Sequence, residues 1–222
     1  MHLTDETNTM IRRLLFYVIQ GVLLPLSFLG FTFFLIKAIT IGRKSGMSAT
    51  ALVPLFFRWL LNILGQRPDE LSNRMLLALP GVSKAGLFLM VLPIVLGIKL
   101  TGYRPSPLCY PYEADCGLAT SAMVRTTFID KNIERHHSSA KQIVVLGAGF
   151  DTRAYSFGVS VFEIDAFQTQ NEKRNVLNLA GIDISQITFV SVDFNRESWF
   201  EELKKSGFDP LLPSIILWEG VT

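Results

Sequence analysis

Charge, sulfur and histidine are all scarce in this chain of 222 residues. Only 18% of it is charged, against roughly a quarter in an ordinary soluble domain. The 21 Lys and Arg nearly balance the 19 Asp and Glu, for a net charge of +2. They are scattered and form no basic block, so nucleic acid is not expected as a partner. Two cysteines, Cys109 and Cys116, cannot build a disulfide framework, and they read as buried or idle thiols in a reducing compartment. None of the three histidines stands at metal-ligand spacing from them, so no metal site is expected. His136 and His137 fall in a polar stretch, "ERHHSSAKQ", and read as solvated rather than catalytic. No internal repeat or low-complexity segment is present.

Apolar residues fill the space that charge leaves. They make up 49% of the chain, with 17 Phe, and the mean hydropathy is +0.34. Residues 14–36, "LLFYVIQGVLLPLSFLGFTFFLI", carry no charged side chain. As a helix this run covers about 34 Å, enough for a hydrocarbon core of roughly 30 Å. It is too long for the core of a secretory signal, and no small-residue cleavage site follows it. Arg12 and Arg13 precede it, and Lys37, Arg43 and Lys44 follow. The expectation is a transmembrane helix over about 14–36 inside an anchor region 1–46, with the rest of the chain facing the cytosol. Two shorter stretches, 51–65 with Arg58 in its middle and 85–98 between Lys84 and Lys99, have the length of core or interfacial helices. The second also has a reading as a segment dipping into a membrane with its lysines snorkelling.

After a Pro-rich connection at 102–112, a helix is expected over about 114–136. From 141 the texture changes. The short apolar runs "QIVVLG", "SVFEID", "ITFVSVD" and "SIILWEG" alternate with polar stretches of helical length, the pattern of βα units in a parallel sheet. The first run ends in "GAGFDT", where Gly147 and Gly149 would let a ligand approach the backbone closely. A dinucleotide fingerprint wants a third glycine where Thr152 stands, and Asp151 is an unwelcome charge beside a pyrophosphate. That disfavours a nicotinamide-dependent oxidoreductase. A cationic ligand without phosphate, such as S-adenosylmethionine, tolerates an acid there, although Asp151 equally suits a helix cap. Each later strand also ends in an acid: Asp165, placed to accept from both ribose hydroxyls; Asp193, for the adenine amino group with Phe194 against the ring; and Glu219.

These residues resemble the leucine carboxyl methyltransferase family and its bacterial small-molecule relatives. The matching pieces are "VRTTFID" (124–130), "VVLGAGFDTRAY" (144–155), "VFEID" (161–165), "VDF" (192–194) and "LWEGVT" (217–222), with weaker similarity in "SATALVPLFFRWL" and "PDELSNRMLLALPG". The resemblance implies an α/β, Rossmann-like methyltransferase sheet over 141–222 with a helical cap over 47–140. It also implies that Arg125 grips the carboxylate of S-adenosylmethionine, that Gly147 and Gly149 surround the methionine moiety, and that Glu219 faces the methionine end. A plain surface ion pair with Asp130 or Glu134 is the other reading of Arg125.

Methyl transfer to a carboxylate needs no general base, because the acceptor is already ionised at neutral pH. No catalytic acid or base is therefore nominated. The acceptor implied is a carboxylate-bearing small molecule or a protein C-terminus, with membrane lipid as a partner of the N-terminal segment. A complete sheet of this type has seven strands, whereas Thr222 follows directly on the fourth. The expectation is a C-terminally truncated chain with an open sheet edge. The alternative to an enzyme is then a non-catalytic cofactor-binding or assembly module of the same fold.

Overall fold

The computed structural model describes residues 2–45, 49–118 and 120–219, with side chains from residue 6 and outside 41–51. The boundary expected between residues 46 and 47, and the last three residues of the "LWEGVT" motif, lie outside the described residues. Four helices come first: α1 (His2–Ser45), α2 (Ala49–Ile63), α3 (Glu70–Ala78) and α4 (Lys84–Thr101). Local chemistry sets the ends of the last two. Asp69 accepts from Ser72 N at 3.0 Å to start α3, and Ser83 caps α4 through Gly86 N. Gly102 closes α4 at a left-handed φ of 70° that other residues would strain to adopt.

Then follow α5 (Ser121–His136), β1 (Gln142–Leu146), β2 (Ser160–Asp165), α6 (Phe167–Leu179), β3 (Ile187–Ser191), α7 (Trp199–Lys205) and β4 (Ser214–Trp218). Helix α5 starts later than the apolar spacing predicts. Thr120 Oγ1 accepts from Gly117 N and donates to Asp115 O, and this turn keeps the chain irregular up to the helix. The four strands are all parallel, in the order β3-β2-β1-β4. Each lies within one of the four apolar runs.

Strands β1 and β2 are covered on both faces, as a parallel sheet requires, whereas Ile216 and Trp218 of β4 stay exposed. Val144, Leu146, Phe162 and Ile164 pack with Leu203 of α7 and Phe208. Ile143, Val145, Val161 and Leu217 point the other way, towards Ile133 of α5. A separate core joins α2, α3, α4 and α6, with Trp59, Met75, Leu87 and Leu177 at its centre and Phe150 of the β1 loop inserted into it. The stretches at 51–65 and 85–98 are thus helices that build this core.

Helix α1 packs antiparallel along α4. Gln20 Nε2 donates to Pro93 O at 2.8 Å, Ser27 Oγ to Met90 O at 3.0 Å, and Lys37 Nζ to Val82 O at 2.9 Å. The helices approach closest at two glycines: a Cβ on Gly30 would fall 2.4 Å from Met90 N, and one on Gly86 2.8 Å from Gly30 O. By length and composition both α1 and α4 could cross a bilayer. Gly30→Ala is expected to lower stability by about 1–3 kcal/mol through overpacking. Gly21→Ala, whose Cβ meets nothing within 4 Å, should gain up to about 1 kcal/mol of helix propensity. Thermal unfolding of the two variants side by side checks this.

Candidate functional site

Strand β1 ends at Leu146, and the backbone turns through Gly147 at φ 60° and Gly149 at φ 44°. Gly147 N donates to Ile164 O at 2.7 Å, which ties the turn to the end of β2. Asp165 finishes β2 and accepts from Gly149 N and Ala166 N, both at 2.7 Å. Its carboxylate therefore holds the turn against the start of α6. Each oxygen keeps a further lone pair for a ligand hydroxyl.

Asp151 is neither an idle charge nor a helix cap alone. Its side chain accepts from Arg153 N at 2.8 Å, as a cap would, at the start of a short 3₁₀ turn, Arg153–Ser156. It also accepts from Arg58 Nη1 at 2.9 Å. Arg58 is buried in α2 and spends its other donors on Asp69 (3.0 Å), Ser72 (2.5 Å) and Thr152 (2.6 Å). Lys173 of α6, buried beside Glu163 at 2.7 Å, donates to Asp151 O at 2.6 Å. Burial pulls the Asp151 carboxyl upward, but Arg153, Arg58 and the Arg153 N–H together hold it well below the usual carboxylate range.

The arginine lattice continues to the end of β4. Arg153, itself buried, donates through Nη2 to Glu219 Oε2 at 2.7 Å, and its Nε lies 3.4 Å from Asp130. Arg125 reaches the other oxygen of Glu219 at 2.8 Å. Arg125 and Glu219, far apart in the chain, are thus brought together. Asp130 is taken by Arg67, Arg153 and Tyr110, so the described partner of Arg125 is Glu219 rather than its helical neighbour. Burial and Asp130 push the Tyr110 phenol up to about 12. A cavity of about 440 Å³ opens beside this lattice, between Arg67, Tyr110, Asp130 and Arg153.

Asp193 and Phe194 stand apart from this cluster, past the tip of β3. Asp193 accepts from Asn195 N at 3.0 Å, and Phe194 is 38% exposed. Because the sheet order is β3-β2-β1-β4, the expected site residues line up along one edge. Asp193 and Phe194 come first, then Asp165, then the glycine turn, then Glu219 with Arg125. Three strand spacings separate the ends, about 14 Å.

Residues 113–222 match the family model described as leucine carboxyl methyltransferase. This region is similar to the leucine carboxyl methyltransferase family. A Frankia alni protein named "Putative S-adenosyl-L-methionine-dependent methyltransferase" is 33% identical over 143 residues, 58% of this chain and 49% of its own length. Proteins of the same name from Mycolicibacterium paratuberculosis and Mycobacteroides abscessus are 37% and 38% identical over 103 and 100 residues. These matches cover 44% and 43% of this chain, and 34% and 32% of the relatives. The chain thus spans between a third and a half of the length of the curated relatives it matches. The family match takes in α5 and the α/β sheet, and α1 lies outside it.

Sequence reasoning missed Arg153, Lys173 and Asp69, and it did not pair Asp151 with Arg58. One signal was present, an arginine in the middle of the apolar stretch 51–65, which requires buried acids somewhere. Arg58→Met should destabilise the fold by about 3 kcal/mol, because it removes the cation that Asp69 and Asp151 share and leaves them only Arg67 and Arg153. A carboxyl held below its unfolded value of about 3.9 stabilises the fold above that pH and stops doing so as pH falls. Asp151→Asn is therefore expected to flatten the loss of stability below about pH 4, as read by urea unfolding across an acid series.

Proposed function

We propose that this chain carries the cofactor-binding part of an S-adenosylmethionine-dependent O-methyltransferase that forms methyl esters on a carboxylate acceptor. The observation behind this reading is the row of groups along the sheet edge, which follows the order of groups in an extended adenosine–methionine conjugate. Asp193 and Phe194 would receive the adenine, Asp165 the ribose hydroxyls, and Gly147 and Gly149 the methionine backbone. Arg125 would bind the methionine carboxylate, with Glu219 beside the ammonium.

The residues present fit that group. Both glycines have left-handed φ values that free the turn from side chains, Asp165 retains accepting capacity, and the Arg125 side chain is 51% exposed. Bound there, S-adenosylmethionine supplies a methyl group on a positively charged sulfur. Glu219, fixed by two arginines, keeps a negative charge at that end of the row. The arginine lattice holds the cap helices and the turn in one geometry, and alignment of donor and acceptor is worth up to about 7–11 kcal/mol in such reactions. The acceptor is already ionised, so the protein needs no base.

The same proposal divides the chain into an anchor region (1–46), a helical cap (47–140) and the partial methyltransferase domain (141–222). It places the protein at a membrane through the apolar run of α1, the segment expected to form a transmembrane helix, with the domain on the cytosolic side.

Calorimetry on the purified chain should detect S-adenosylmethionine and its demethylated product, and no NAD. Asp165→Ala should weaken that binding at least tenfold. Binding of NAD in place of S-adenosylmethionine would end the methyltransferase reading. Base-labile label in an ester, after incubation with methyl-labelled cofactor and a panel of carboxylic acids, supports catalysis. Its absence at full cofactor occupancy favours a non-catalytic binding module of the same fold.

A further inference from the structure

The outward faces of α1 are apolar all round. Leu14, Val18, Val22, Leu24, Phe28 and Ile36 are all exposed. Polar groups in the run are turned away from this surface or satisfied within the helix. Gln20 and Ser27 bond to α4, and Thr32 Oγ1 donates to Phe28 O at 2.8 Å. Helix α4 adds Phe88, Leu92 and Leu100 to the same outer surface. Soluble proteins rarely expose so long a continuous apolar surface. Cations stand at both ends of the pair. Arg12, Arg13, Lys99 and Arg104 mark one end, where Arg12 Nη1 lies 3.9 Å from the Cβ position of Gly102, and Lys37 and Lys84 mark the other.

The depth of this pair is limited by what lies behind it. Helices α2 and α3 precede α4 in the chain, and α5 and the sheet follow it. Arg58 of α2 bonds Asp151, and Arg67 bonds Asp130 of α5, so both flanks of α4 sit on one side of any bilayer. The inner face of α4 is itself part of the domain core: Leu87 and Val91 pack with Trp59, Phe150 and Val176. Helix α1 follows α4 from Phe16, against Gly97, to Lys37, against Val82. Its apolar run therefore reaches no deeper than α4 does.

We propose that α1 and α4 form a membrane-docking hairpin that sinks into one leaflet of an anionic bilayer without crossing it, so that the start of α1 and the α/β domain share one side. This rests on the membrane part of the reading above and changes its geometry from spanning to in-plane. The hydrocarbon tails cover the apolar outer surface, and the cations at the two ends meet lipid phosphates.

The test uses the full chain in sealed vesicles of known orientation, on a Cys109→Ser background. Native Cys116, exposed ahead of α5, reports the domain, and Asn8→Cys reports the start of α1. A membrane-impermeant maleimide should label both from the same face. Labelling of the position 8 cysteine only from the opposite face shows that α1 crosses, and overturns the proposal while leaving membrane association intact. A chain that stays in the supernatant, as a monomer or as a dimer of apolar faces, overturns both. A fluorophore on Leu92→Cys separates α4 from a bystander: quenching by lipids labelled near the headgroup, several-fold stronger than by lipids labelled at the bilayer centre, is expected. No quenching by either means that α4 stays dry and the hairpin is wrong. Vesicles containing phosphatidylglycerol should bind the chain several-fold more tightly than phosphatidylcholine alone, and equal binding removes the role given to the end cations.

Discussion

The guanidinium of Arg58 is the joint on which the site depends. It is buried inside an otherwise apolar helix, and it reaches two carboxylates and two hydroxyls drawn from the start of α3 and from the loop after β1. A buried arginine is tolerable only when its donors are answered, and here those answers fix the position of the helical cap relative to the glycine turn. Thr152 is one of them. The residue that spoils the dinucleotide fingerprint is the one whose hydroxyl receives Arg58, so the departure has a mechanical use.

From that joint the charges alternate outward. Asp69 and Asp151 flank Arg58, Asp130 lies between Arg67 and Arg153, and Glu219 lies between Arg153 and Arg125. Of these arginines only Arg125, at the far end, is substantially open to solvent. The inner members of the lattice are structural, and the outer member is positioned by them.

Much of this was legible in the chain. Strand positions follow from four apolar runs, and an acid at the end of a strand is readable because parallel sheets present ligands at that end. Gly147 and Gly149 were readable because both adopt φ values that other side chains resist. What could not be read was pairing at a distance. Arg58 and Asp151 are 93 positions apart, and nothing local to either names the other. The same holds for α1: its apolarity was plain, but its close packing on α4 depends on two glycines, 30 and 86, whose meeting no periodicity announces. The start of α5 was placed too early because the apolar spacing continues through a turn that Thr120 organises by side-chain bonding.

The order of the strands also bears on how the chain is made. β4 joins the sheet beside β1, with Gln142 opposite Ser214, 72 positions later. Until the ribosome has delivered α6, β3, α7 and β4, one flank of β1 has no partner, whereas the strand for its other flank, β2, follows it closely in the chain. That flank is a sticky row of amides and carbonyls in the nascent protein until β4 arrives. Slow translation of the stretch between β2 and β4 would lengthen the time during which another chain can add to it.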